Sequence, residues 1–83
     1  MKYTSFTVKR NKKNPGSYKV EFTGSRIDSM GTWESSGTFG ELILVNGYLI
    51  LMKFIAKPVA VYNDLDHFCR VIKNEFGIAP RIE

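Results

Sequence analysis

Glu41-Leu42-Ile43-Leu44-Val45-Asn46-Gly47-Tyr48-Leu49-Ile50-Leu51-Met52 is the stretch on which the fold turns. Two apolar runs flank Asn46-Gly47, and both central residues tolerate the positive φ of a two-residue type I′ turn. The segment from Glu41 to Ile55 therefore reads as a β-hairpin. In that register Val45 opposes Tyr48, Ile43 opposes Ile50 and Glu41 opposes Met52 on one face; Leu44 opposes Leu49 and Leu42 opposes Leu51 on the other. The rival is a short helix, because Thr38 and Glu41 have the spacing of a capping box and Gly47 can close a helix end. Gly40 and the β-branched Ile43 and Val45 weigh against it.

Downstream of Lys57-Pro58, Val59 to Tyr62 suggests one further short strand. A helix follows. Asn63 or Asp64 can cap it, Asp64 and Asp66 suit the positive end of its dipole, and Leu65, Phe68, Cys69, Ile72 and Phe76 form one apolar stripe that Gly77 ends. The tail from Ile78 to Glu83 contains Pro80 and reads as extended.

Upstream, Thr4, Phe6 and Val8 alternate with Ser5, Thr7 and Lys9, and Tyr18, Val20 and Phe22 alternate with Lys19, Glu21 and Thr23. Between them Asn11 to Ser17 holds Pro15-Gly16, which suits a turn. This is a first hairpin with a basic tip. Residues 24–37 are rich in Gly, Ser and Thr, and read as a long loop, or as a loop interrupted by a short strand near Thr32 to Glu34.

The 83 residues suffice for a single domain, residues 1–83, and 43% apolar content can sustain one core. The single cysteine, Cys69, cannot form an internal disulfide, and Met1 to Val8 lacks the apolar run of a secretion signal, so a cytoplasmic setting is expected. Phe39 to Ala56 is broken by Glu41, Asn46, Gly47 and Lys53, which argues against a membrane span. The formal charge of +4 comes from the first half: residues 1–37 carry seven Lys and Arg against three acids, while residues 38–83 carry five of each.

Chemistry has little to work with. His67 and Cys69 stand two positions apart on the expected helix, where side chains diverge by about 200° and cannot pair. Cys69 reads as a small core residue and His67 as a solvated one. One His, one Cys and scattered acids make no dedicated metal set, and no glycine-rich loop opens the helix to cradle a phosphate. No enzyme, no cofactor and no small-molecule substrate are expected.

Two surfaces remain. Lys9, Arg10, Lys12, Lys13 and Lys19 can meet phosphates, with Tyr18 or Trp33 as stacking platforms for unpaired bases. The second surface is Ile43, Val45, Tyr48, Ile50 and Met52. Both faces of the second hairpin are apolar, and one helix covers only one face of a sheet. Either the sheet curls so that the first hairpin closes over these five residues, or a protein partner or second copy does.

Asn14-Pro15-Gly16-Ser17-Tyr18, followed by Val20, resembles a hairpin of small phage-encoded anti-CRISPR proteins directed at type I-F systems. Those are short non-enzymatic inhibitors that bind the surveillance complex. The resemblance implies a phage or mobile-element origin, and it transfers no functional residue. The expectation is thus an α+β domain, an antiparallel sheet of two hairpins with a short extra strand and one C-terminal helix on one face. Its expected role is binding a protein, as an inhibitor or accessory factor; nucleic-acid binding by the basic hairpin is the alternative.

Overall fold

The computed structural model describes residues 2–53 and 57–83. The expected hairpin at Asn46-Gly47 lies between β3 (Gly31–Val45) and β4 (Tyr48–Lys53), with Val45 opposite Tyr48, Ile43 opposite Ile50 and Glu41 opposite Met52. Both turn residues have positive φ, 50° at Asn46 and 83° at Gly47. The reading of this hairpin as far as Ile55 passes Lys53; residues 54–56 lie outside the described residues.

Around that pair the chain builds one sheet, as expected, but with six strands of mixed direction. β1 (Lys2–Arg10), β2 (Ser17–Asp28), β3, β4 and β5 (Lys57–Tyr62) form an antiparallel meander. Helix α1 (Leu65–Phe76) then returns the chain to the far edge, where β6 (Arg81–Ile82) pairs parallel with β1. The order is β5-β4-β3-β2-β1-β6, six strands and mixed rather than wholly antiparallel. Length explains the crossover. Twelve helical residues span about 18 Å and four strand spacings about 19 Å, so a helix that starts over β5 reaches β1. Its ring contacts follow that path: Phe68 meets Tyr62 of β5 at 5.0 Å, and Phe76 meets Phe6 of β1 at 5.2 Å.

The helix is bounded by chemistry visible in the sequence. Asp64 is the cap, its Oδ1 accepting the His67 amide at 2.8 Å, and Gly77 ends the helix at φ 72° while donating its N–H to the Lys73 carbonyl. Phe68 and Ile72 are fully buried, with Leu65, Cys69 and Phe76 packed at the margin of the core. Burial of a side chain of that size contributes about 2–3 kcal/mol. The sheet supplies Phe6, Val8, Val20, Phe39, Leu42, Leu49, Leu51 and Tyr62 to the same core.

Three bulges adjust which side chains reach the helix. One between Tyr3 and Ser5 breaks the expected alternation: Thr4 is exposed, and Tyr3 turns inward against Phe6, Phe22, Phe39 and Phe76. A second inserts Phe39 opposite the Val20–Glu21 step and buries it beside Phe6 at 5.1 Å. Next to it Gly40 admits no side chain, because a Cβ there would lie 2.7 Å from Leu51 Cδ1 and 3.0 Å from the Met52 carbonyl oxygen. The third falls between Leu51 and Met52 and makes Val59 the extra residue of β5.

Residues 24–37, expected as a loop, are strand almost throughout. β2 and β3 continue past the core as a two-stranded ribbon, closed by Ser29-Met30 and paired from Gly24–Ser35 out to Asp28–Gly31. Ladder hydrogen bonds do not require apolar side chains, so a Gly, Ser and Thr composition concealed the pairing. The ribbon gives the molecule its long axis, 47 Å against 25 and 23 Å. At its tip the Asp28 carboxylate accepts from the Met30 amide and from Trp33 Nε1.

Candidate docking face

Strand alternation places Ile43, Val45, Tyr48, Ile50 and Met52 on the side of the sheet away from α1, called here the outer face. The first hairpin does not fold over them. It lies edge to edge with the second in the same sheet, and none of the five belongs to the buried core. Ile43, Ile50 and Met52 are half-buried by their neighbours in the sheet, while Val45 is 41% and Tyr48 50% exposed. The structure adds Val61, opposite Ile50 and 60% exposed, which extends the apolar row from Ile43 through Ile50 to the β5 edge. The alternation of Val59 and Val61 was visible in the sequence, but their face depended on the bulge beside them.

Leu44 departs from expectation. Leu42, Leu49 and Leu51 are buried under the helix, whereas Leu44 is 53% exposed. It lies on the helix side but next to the first turn, where it lines a shallow cleft of about 200 Å³ with Gly16, Tyr18, Leu49 and Leu65.

The expected phosphate-binding residues are dispersed. Lys9 pairs with Glu21 at 3.2 Å and Glu83 at 3.8 Å, and Lys19 pairs with Glu21 at 3.7 Å, so both cations are held in an outer-face network. Tyr18 packs against the core on the helix side. Trp33 belongs to the ribbon; Leu42, the partner of Tyr18, lies nine residues further along β3, about 30 Å away. Arg10, Lys12 and Lys13 remain exposed at the first turn with no ion-pair partner among the described residues.

That turn has contacts on both sides of the sheet, since Gly16 lines the cleft beside Leu44 on the helix side. Ser17 opposes Ile43 and shares its side of the sheet, yet it is buried, with its Oγ donating to the Asn14 carbonyl at 2.9 Å. Asn11 Nδ2 reaches Glu41 Oε1, on the same face, at 3.5 Å.

His67 and Cys69 stay apart on α1. His67 is half-buried rather than fully solvated: its Nδ1 accepts the Asn63 amide at 3.0 Å, and its ring meets Tyr62 edge-on at 5.7 Å. Cys69 is half-buried, and loss of hydration with the nearby Asp66 charge pushes its thiol up. A thiol so placed is a poor nucleophile. Among the described residues no three His, Cys, Asp or Glu side chains converge as metal ligands, and no helix is long and apolar enough to cross a membrane. No protein-family model, curated protein or solved structure gives a significant match to this chain.

Proposed function

We propose that this chain is a small non-enzymatic protein-binding domain that docks through the outer face formed by Ile43, Val45, Tyr48, Ile50 and Met52. One observation carries the reading: the only helix among the described residues lies on the opposite face, so no described element covers the apolar row across three strands, in which Ile43 and Ile50 are half-buried and Val61 is exposed. Apolar surface gathered in this way is costly to leave in water, and in soluble proteins it marks interaction sites. The likeness of the Asn14–Tyr18 turn to an anti-CRISPR hairpin suggests an inhibitor or accessory factor of phage or mobile-element origin.

Parallel affinity capture with the native chain and with Tyr48→Glu and Ile50→Glu variants, each shown by circular dichroism to be folded, tests the proposal. A protein retained by the native chain and lost from both variants supports it. Identical captured proteins from all three chains would place the partner elsewhere. If Lys12→Glu with Lys13→Glu releases bound nucleic acid while the Ile50→Glu chain retains it, the nucleic-acid reading replaces this one.

A further inference from the structure

We infer that a second copy of this chain pairs with the open edge of β3, joining the two ribbons about a two-fold axis, a contact separate from the outer face. The edge exists because β4 is short. It pairs with Glu41 to Val45 only, so among the described residues no strand lies beside Gly31 to Thr38 on that side, and every one of them is exposed. The turn at Ser29-Met30 closes on the pair Asp28–Gly31. In a two-residue hairpin the closing pair is hydrogen-bonded, and bonded pairs then alternate along the ladder. Trp33 therefore bonds to β2, whereas the backbone groups of Thr32, Glu34 and Ser36 point to the open side. An edge of this length with no proline is a template for another strand, and a two-stranded ribbon gains most from receiving one.

Shape selects the occupant. Beyond β3 the body of the sheet is two strands wide, β4 and β5, and β4 ends at Lys53, next to Gly40. The ribbon is also two strands wide. The recess beside it thus has the ribbon's own width, and a two-fold axis lets each copy fill the recess of the other. An unrelated extended segment would satisfy the edge but fill only half of that width. Register follows from the same alternation, because bonded pairs across the axis must join Thr32, Glu34, Ser36 and Thr38. Placing Glu34 opposite its own copy sets like charges face to face, which is unfavourable. A shift of two residues sets Glu34 opposite Ser36 of the second copy, Thr32 opposite Thr38 and Trp33 opposite Gly37. Met30 then comes level with Gly40, where β4 stops. Trp33, 51% exposed, gains cover against that glycine and the half-buried Phe22 beside it, since a Cβ at Gly37 would lie 3.3 Å from Phe22 Cε1.

Sedimentation velocity of the full chain from about 2 µM to about 500 µM is expected to show a monomer giving way to a weak dimer, as suits an edge contact of less than about 1,200 Å². Ser36→Lys sets a cation opposite Glu34 twice across the axis and should tighten the dimer about three- to tenfold, while Ser36→Glu should loosen it by about the same factor. Glu34→Pro removes an amide that points away from β2, so the ladder to β2 stays and the dimer is lost. Circular dichroism at the lowest concentration checks that each variant is folded, and the Ser36 pair decides the matter if the proline variant is not. A monomer at every concentration overturns the inference. A dimer that the Ser36 variants leave unchanged overturns it too. If Ile50→Glu dissociates that dimer, the second copy sits on the outer face instead and the docking reading stands.

Discussion

Between Phe39 and Leu42, β3 sends three buried residues into the core or against it, Phe39, Gly40 and Leu42, whereas from Gly31 to Thr38 every residue of the same strand is exposed. Both halves are hydrogen-bonded to β2 over their length, apart from the bulge at Phe39. The difference separates two sources of order. At the Leu42 end, pairing is backed by apolar area removed from water; at the ribbon end, the ladder, the Asp28 contacts and the attachment to the sheet hold the chain. A two-stranded ribbon in isolation is marginal in water, so the inner half of β3 supports the outer half.

The sharpest way to break that asymmetry is Leu42→Ala, which removes a fully buried side chain beneath the helix. A loss of about 3–5 kcal/mol is expected in urea unfolding, a large part of the stability of a domain this small. Gly40→Ala is the next largest, about 1–3 kcal/mol, because the added methyl group meets Leu51 and the Met52 backbone. At the other end, Met30→Ser or Trp33→Ser should shift the same transition by less than about 0.5 kcal/mol. Amides of Arg26 to Trp33 should also exchange with solvent well before those of Phe39 to Leu42. If either ribbon substitution matched Leu42→Ala, the division of β3 would be wrong.

The smallest effect is a drift with pH on the anchored side. Burial, with Asp66 beside Cys69 and Glu75 beside Tyr62, raises both groups, so the folded chain keeps their protons to higher pH than the unfolded one. The folded state then binds more protons, and stability must fall as pH rises. It is fully present below the ordinary thiol range and declines above it. Urea midpoints measured from about pH 7 to about pH 10 should decrease, and Cys69→Ala should flatten the earlier part of that decline.

Local signals in the sequence were reliable where one residue type answers one backbone demand. Asn46-Gly47 meets the positive φ of a tight turn, Asp64 meets the open amides of the first helical turn, and Gly77 meets the left-handed stop. The outer face was legible for the same reason, since alternation across a known turn fixes which side chains share a side. Residues whose placement depended on a neighbour were not legible. Val61 needed the β4–β5 register, Leu44 needed the end of the helix, and Trp33 and Tyr18 needed the full length of β3 between them before their separation was evident.

By itself the sequence favoured the second hairpin over a helix and predicted its register, placed a helix starting at Asn63 or Asp64 and ending at Gly77, and showed an excess of apolar strand surface over what one helix can shield. Only the tertiary structure decided that residues 24–37 extend β2 and β3 as a paired ribbon and that the tail adds a parallel sixth strand beyond β1. The reason is range. Turns, caps and alternation are settled by residues a few positions apart, while edge pairing depends on hydrogen bonds between segments that the fold must first bring together.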